Sequence, residues 1–156
     1  MEAVISHSGQ EQVRLSDVFV DGVGIGKGAV DVLARQERAQ AHGFQGVNAG
    51  DKFEEGNPDG DLYINLRAKM FWKTREWIIR GGKLLRDGDP ETNWYQLTRI
   101  YYNHKLEGMQ GKLRIMPKEQ MLKKGIASPD VGDSLALTFA GPDDEMISES
   151  FIRRIA

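Results

Sequence analysis

Residues 18–30 read Val18-Phe19-Val20-Asp21-Gly22-Val23-Gly24-Ile25-Gly26-Lys27-Gly28-Ala29-Val30. An apolar, strand-like run ends at the carboxylate of Asp21, and a loop with glycine at every second position leads into a helix-like pattern that starts at Ala29. This order predicts a buried parallel strand with Asp21 at its carboxyl end, which is the edge where open α/β sheets bind their ligands. The glycines allow a ligand to approach the backbone closely.

The glycine-rich loop has several functional interpretations. A P-loop needs glycine five residues before the Gly-Lys pair and Ser or Thr after the lysine. Here those positions hold Asp21 and Gly28, so the spacing excludes a P-loop. A dinucleotide-binding turn is disfavoured because the carboxylate of Asp21 would repel a pyrophosphate. Two interpretations stay open: Asp21 is a metal ligand beside room for a polyanion, or the loop is an ordinary turn at a strand end.

Composition indicates one globular domain. The chain has 156 residues, of which 40% are hydrophobic and 28% charged, and this length can build a real core. It has no apolar run near the roughly twenty residues that a membrane span needs, and its first residues do not form a signal peptide. Cysteine is absent, which excludes thiolate metal sites and fits a cytoplasmic location. A net charge of −2 argues against a uniformly basic surface but allows a local basic face.

Hydrophobic periodicity and helix-end signals predict the remaining elements. Ser128 is the expected N-cap of the last helix, and Pro117 the expected first residue of the one before it. The predicted helices cover residues 29–41, 61–80, 118–124 and 130–140, and the predicted strands cover residues 44–48, 97–104 and 112–116.

The helix predicted at residues 61–80 combines cations with a wide apolar stripe, which consists of Leu62, Leu66, Met70, Phe71, Trp72, Trp77 and Ile78. The basic residues are Arg67, Lys69, Lys73, Arg75 and Arg80. A charge run on a helix is most often a solvated face. The same cations beside a carboxylate site would suit a phosphate backbone.

Carboxylates are the main groups that the chain offers for catalysis. Asp130 and Asp133 are three residues apart at a predicted helix start and therefore share a face. Together with Asp21 they form the strongest constellation, and such oxygen ligands select Mg²⁺ or Mn²⁺ over Zn²⁺. Two such ions about 4 Å apart can activate water and stabilise the leaving oxygen in phosphodiester cleavage. The ordinary alternatives are a helix-dipole role for Asp130 and an exposed polar position for Asp133.

Five blocks between residues 17 and 140 carry a family resemblance. They cover residues 20–26, 46–52, 65–77, 112–121 and 128–140; the third begins Asn65-Leu66-Arg67-Ala68-Lys69-Met70-Phe71-Trp72-Lys73, and the last begins Ser128-Pro129-Asp130-Val131-Gly132-Asp133-Ser134-Leu135. Together they resemble the C-terminal nuclease domain of the large terminase subunits of tailed phages, which are DNA-packaging motors.

The resemblance implies an α/β fold of the RNase H-like (ribonuclease H/RuvC) type, with a mixed sheet and flanking helices. It also implies a two-metal site for Mg²⁺ or Mn²⁺ built from three acidic positions. Asp21 would be the second acid and Asp130 the third, with Asp133 as its neighbour or substitute. The residues expected along DNA are Lys27, Arg67, Lys69 and Lys73.

The chain departs from the family pattern at its start. Residues 1–16 lack the motif of the first acid, and the ATPase half with its P-loop is missing. We therefore expect an N-terminal extension at residues 1–16, a partial nuclease domain at 17–141 without its first strands, and a tail at 142–156. An open sheet edge would favour self-association or a partner strand.

The leading hypothesis is a metal-dependent DNA endonuclease domain of a phage or prophage terminase large subunit, located in the host cytoplasm. Its expected partners are double-stranded DNA, the terminase ATPase domain, the small terminase subunit and the portal, with no membrane. Because the first acid is not found, cleavage by this chain alone stays open. The alternatives are a non-catalytic DNA-binding or motor-assembly module and, third, a nucleotide-binding α/β domain.

Overall fold

The computed structural model describes residues 4–6, 12–14, 18–23, 25–35, 45–84, 94–103 and 111–141. The chain divides into two compact units, Met1–Ala49 and Gly50–Ala156. Both units contain helices and short two-stranded sheets, so the chain is mixed α/β, as the sequence predicts. The domain boundaries expected at residues 16 and 141 stay predictions, and the tail at 142–156 lies outside the described residues.

The first unit contains the strand–helix–strand arrangement that the sequence predicts. Strands β1 (Val4–Ser6) and β2 (Gln12–Arg14) form an antiparallel pair. Strand β3 (Phe19–Asp21) pairs in parallel with β4 (Gln45–Val47), and helix α1 (Ile25–Ala34) lies between them in the sequence. Asp21 is the last residue of β3 and lies opposite Val47.

Two details of this first unit differ from the expectation. Helix α1 begins at Ile25, so Gly26, Lys27 and Gly28 belong to its first turn and not to a loop. The helix can start this early because Gly26 lies directly against the end of β3, where a Cβ atom would overlap the carbonyl oxygen of Asp21. Strand β3 is also only half-buried at Phe19, where the sequence predicts full burial.

The second unit is built mainly from helices. Helices α2 (Asp59–Leu62) and α3 (Leu66–Ile79) are followed by a 3₁₀ helix (Trp94–Arg99). Strands β5 (Tyr102–Asn103) and β6 (Arg114–Ile115) then form an antiparallel pair. Helices α4 (Lys118–Lys123) and α5 (Asp130–Leu137) complete the described part of the unit.

The prediction of one continuous helix over residues 61–80 is wrong at the start of that range, where the structure has two helices. Residues after α2 turn extended, and Tyr63 bridges Leu113 in parallel, with the N–H of Leu113 donating to the carbonyl of Leu62 at 2.7 Å. Asn65 then starts α3 as its N-cap, and its side chain accepts a hydrogen bond from the N–H of Ala68 at 3.0 Å. Backbone pairing and an asparagine cap therefore divide one apolar stretch into two helices.

The core of the second unit lies between α3, β6, α4 and α5. The stripe residues Met70, Phe71 and Trp77 are buried as predicted, and the ring of Trp77 lies 6.1 Å from that of Phe139. Leu62 and Ile78 were expected on the same stripe but are 60% and 37% exposed. For Leu62 the reason is that it precedes the break and belongs to α2.

The predicted strand at 97–104 is wrong over its first half. The 3₁₀ helix continues to Arg99, and the hydroxyl of Thr98 donates to the carbonyl of Tyr95 at 2.8 Å. Of the described residues 97–103, Tyr102–Asn103 form a strand, and residue 104 lies outside the described part. The helix predicted at 118–124 is confirmed, although Pro117 is its N-cap and not its first residue. Gly125, with φ +70°, follows its C-cap. None of the described helices has the length and apolarity to cross a membrane.

Candidate metal centre and basic helix

Asp21 occupies the carboxyl end of a parallel strand, as the sequence predicts. Its side chain is exposed, and its Oδ1 accepts a hydrogen bond from the N–H of Val23 at 3.0 Å. The pairing of β3 with β4 continues one step further, because the N–H of Gly22 donates to the carbonyl of Val47 at 2.7 Å. The backbone on both sides of Asp21 is therefore fixed, while the carboxylate faces outward.

Asp130 is the first residue of α5, and its side chain is exposed. The hydroxyl of Ser128 donates to Asp130 Oδ1 at 2.6 Å. Ser128 is therefore not the N-cap that the sequence predicts; Pro129 holds that position, with φ −86° and ψ 61° and no side-chain cap. The serine hydroxyl orients the acid beside it instead of satisfying the helix N–H groups.

Asp133 lies one turn further along α5 in a different environment. Its carboxylate is 23% exposed and forms two ion pairs, to Arg67 at 3.4 Å and to Lys118 at 2.6 Å. Arg67 also donates from Nη1 to the carbonyl of Met116 at 3.0 Å and lies over the ring of Phe71. Burial lowers the pKa of Arg67, and the neighbouring carboxylate of Asp133 opposes that shift.

The first turn of α5 is held on another side by the 3₁₀ helix. Gln96 Oε1 accepts a hydrogen bond from the N–H of Val131 at 3.1 Å, which satisfies one of the N–H groups left open at a helix start. Gly132 is buried, and a Cβ atom there would lie 3.1 Å from the side chain of Leu97. Gln96 could not be found from the sequence because 35 residues separate it from Val131.

Lys118 is not among the predicted site residues, although its position in the sequence indicates that it needs an acidic partner. As the first residue of α4 after Pro117, it is a cation at a helix start, where the helix dipole disfavours positive charge. Such a position suggests a compensating acid nearby, and Asp133 is that acid. The sequence did not identify the partner.

The four cations expected along DNA have different environments. Lys27 is exposed on α1. Lys73 is 20% exposed at its side chain, with Glu76 at 3.8 Å. Arg67 and Lys69 are 13% and 7% exposed and pair with Asp133 and Asp59, respectively. Contact of all four with DNA stays a prediction, and for Arg67 and Lys69 the structure gives a role inside the fold.

The three predicted metal ligands are distributed over both units. Asp130 and Asp133 share the first turn of α5 in the second unit, and Asp21 belongs to the first. Within either unit, the described residues contain no group of three His, Asp or Glu side chains that could hold a metal ion. The shared cation between Asp21 and Asp130 therefore stays a prediction.

The fold is similar to that of the nuclease domains of phage large terminase subunits. One of the similar solved structures is a mutant nuclease domain of the large terminase subunit gp2 of bacterial virus Sf6 with manganese. It is similar to this chain with a TM-score of 0.50 and 23% sequence identity, and the match covers 80% of this chain and 65% of that one. This chain thus spans just under two thirds of that domain. The resemblance inferred from five sequence blocks is confirmed at the level of the fold.

Two further structures of the same Sf6 domain are similar. A mutant with calcium has a TM-score of 0.49 and 23% identity over 80% of this chain and 64% of its own. Another structure of the Sf6 domain has a TM-score of 0.47 and 24% identity over the same shares. Neither a protein-family model nor a curated protein sequence matches this chain.

Proposed function

We propose that the chain is a metal-dependent DNA endonuclease domain of the phage terminase type, with an RNase H-like fold. The observation that carries the proposal is the shared fold with a nuclease domain described with manganese. A second support is local: Asp21 stands at the carboxyl end of a parallel strand, where α/β folds place their ligands. The five sequence blocks supply the link to DNA packaging.

Asp21 and Asp130 each have the chemistry to bind a divalent cation. Both are exposed carboxylates, and each accepts a hydrogen bond from a neutral donor, the N–H of Val23 and the hydroxyl of Ser128. Neither donor neutralises the carboxylate, and oxygen ligands of this kind suit Mg²⁺ or Mn²⁺. Bound there, such a cation would activate a water molecule and stabilise the leaving oxygen of a phosphodiester.

The chain's own residues would orient the acids and hold the DNA. Val23 and Ser128 fix the rotamers of the two carboxylates, which preorganises them for a cation. Lys27, Lys73, Arg67 and Lys69 make up the proposed phosphate-binding set, the first two by direct contact and the last two by supporting α3 from within. Each direct contact would release counterions and make binding salt-dependent.

We propose the substrate, location and partners from the resemblance to terminase nuclease domains. The substrate is double-stranded DNA in the host cytoplasm, and the partners are the terminase ATPase domain, the small terminase subunit, the portal and, through an open sheet edge, a second copy. A module that binds DNA without cutting it is the alternative outcome. It would bind DNA with salt-sensitive affinity and leave it intact with every divalent ion.

The test is Mn²⁺-dependent nicking of supercoiled plasmid DNA. Asp21→Asn and Asp130→Asn should each lower the rate by about 100-fold or more, because even residues that only support a ligand cost 10–100-fold. Asp61→Asn, at an exposed acid on α2, is the matched control and should keep full activity. Nicking by Asp21→Asn at the rate of the unmodified chain would remove Asp21 from the mechanism.

A binding measurement separates the alternative from the enzyme. In fluorescence anisotropy with a DNA duplex, Lys27→Ala and Lys73→Ala should each lower the salt slope by about one unit, as expected for loss of one phosphate contact. Such binding without any nicking would favour the DNA-binding module. An unchanged slope in both variants would contradict the proposed DNA contacts.

A further inference from the structure

We propose that Asp133 is a positioning residue, whose ion pairs with Arg67 and Lys118 fix the first turn of α5 and thereby aim the carboxylate of Asp130. The inference rests on the proposed function for the role of Asp130. It separates two acids that the sequence treats as interchangeable metal ligands. Only Asp130 would hold a cation, and Asp133 would act through it.

Each carboxylate oxygen of Asp133 faces its own cation. Oδ1 lies 3.4 Å from Nη2 of Arg67, and Oδ2 lies 2.6 Å from Nζ of Lys118. The carboxylate is also largely buried, at 23% exposure, where charge pairs are screened less than at an open surface. A divalent cation that bound Asp133 would have to displace Lys118 and face Arg67. A cation that bound Asp130 would displace no positive charge, because the hydroxyl of Ser128 that donates to Asp130 is neutral.

Both cations belong to other elements, and Arg67 is also anchored by further contacts. Arg67 lies in the first turn of α3, where it donates to the carbonyl of Met116 at 3.0 Å and stacks over Phe71 at 4.7 Å. Lys118 is the first residue of α4. The pairs of Asp133 therefore tie α5 to two helices at once, at the turn that begins with Asp130.

The neighbouring contacts constrain the same turn from another direction. Gln96 caps the N–H of Val131, and Gly132 packs against Leu97. Since residues three apart on a helix share a face, a shift of Asp133 carries Asp130 with it. The ion pairs are the part of this arrangement that a substitution can remove without disturbing the apolar packing.

The two roles of Asp133 predict opposite effects when Lys118 is removed. If Asp133 were a metal ligand, Lys118 would compete with the cation, and Lys118→Met would tighten Mn²⁺ binding. If Asp133 positions Asp130, Lys118→Met loosens α5 and weakens Mn²⁺ binding. The sign of the change therefore decides between the two roles without any measurement of cleavage.

The experiment titrates the whole chain with Mn²⁺ and follows bound metal by electron paramagnetic resonance. Lys118→Met and Asp133→Asn should each weaken binding by about 10-fold, the lower end for residues that support a ligand. The double variant should bind no more than about twofold more weakly than Asp133→Asn alone, because that substitution already removes the Lys118–Asp133 pair. Lys118→Arg should restore binding, and Lys123→Met, at an exposed lysine on the same helix, is the control. Tighter binding in Lys118→Met, or additive losses, would overturn the inference.

Hydrogen exchange without metal separates this inference from the proposed function. Loss of the ion pairs should speed amide exchange in the first turn of α5 by several-fold. Exchange in the second half of α3, away from Arg67, should stay unchanged, which also shows that the variants fold. Unchanged exchange in Lys118→Met and Asp133→Asn would refute the positioning role even if the chain binds Mn²⁺. An unmodified chain that binds no Mn²⁺ would refute the proposed metal site itself.

Discussion

Nζ of Lys69 lies 2.7 Å from Oδ2 of Asp59, and this ion pair joins the short helix α2 to the first turn of α3. The two side chains are only 7% and 19% exposed. A lysine that the sequence assigns to a DNA-binding face therefore holds two helices together inside the second unit. Its neighbour Arg67 does the same for α3 and α5 through Asp133.

We expect Asp59→Asn to destabilise the second unit by about 3 kcal/mol, because it removes the carboxylate that lies 2.7 Å from the largely buried ammonium of Lys69. Glu76→Gln removes the ion pair between Glu76 and Lys73, a looser pair at 3.8 Å with side chains 33% and 20% exposed. That control should cost less than about 0.5 kcal/mol. Urea unfolding followed by tryptophan fluorescence measures both. Equal losses would mean that the buried pair contributes no more than a surface pair.

Two glycines in the first turn of α1, Gly26 and Gly28, allow a matched pair of alanine substitutions. In Gly26→Ala the new Cβ would overlap the carbonyl oxygen of Asp21, so β3 and α1 must move apart. We expect a loss of about 3 kcal/mol or more, as for overpacked positions that force backbone shifts. At Gly28, by contrast, an added Cβ would meet no atom within 4 Å. Gly28→Ala should therefore stabilise α1 by up to about 1 kcal/mol, because alanine favours helices.

Hydrogen exchange of the β3 and β4 amides reports both glycine variants. Gly26→Ala should speed exchange there, whereas Gly28→Ala should slow it or leave it unchanged. Slower exchange in Gly26→Ala would contradict the close contact between α1 and Asp21. The same sample tested for Mn²⁺ binding shows whether the position of Asp21 depends on that contact.

The break between α2 and α3 depends on Asn65. Asn65→Ala removes the side-chain acceptor for the N–H of Ala68 and should cost about 1 kcal/mol, the usual value for an N-cap. Asn65→Asp keeps an acceptor and should retain most of the stability. Thermal unfolding by circular dichroism compares the three proteins. A loss in Asn65→Asp as large as in Asn65→Ala would show that the cap is not the relevant interaction.

Local patterns in the sequence predicted much of the fold. The apolar run before Asp21 predicted β3, the periodicity from Ala29 predicted α1 but placed its start four residues too late, and Pro117 with Gly125 bounded α4 within one residue. The clearest failure is a segment that long-range pairing determines. Tyr63 turned extended because it pairs with Leu113, fifty positions away, and no periodicity near residue 63 carries that information.

In the candidate site, too, local features could be predicted from the sequence and long-range contacts could not. The positions of Asp21 at a strand end and of Asp130 at a helix start follow from their neighbours in sequence, and both are confirmed. The ion-pair partners of Asp133 do not follow from neighbouring residues. Arg67 lies 66 positions away in the sequence and contacts Asp133 because α3 packs on α5. A charge pattern therefore identified the basic helix but could not distinguish its outward cations from its inward ones.

Gln96 supplies the last test, because its side chain caps α5 from a distant element. Gln96→Met keeps the length of the side chain but loses the acceptor for the N–H of Val131. Since a hydrogen bond of this kind is worth about 1 kcal/mol, exchange of the Val131 amide should rise about fivefold. Gln96→Glu keeps an acceptor and adds a charge that the helix start favours, so protection should persist. Equal protection in all three proteins would show that α5 begins where it does without the hydrogen bond from Gln96.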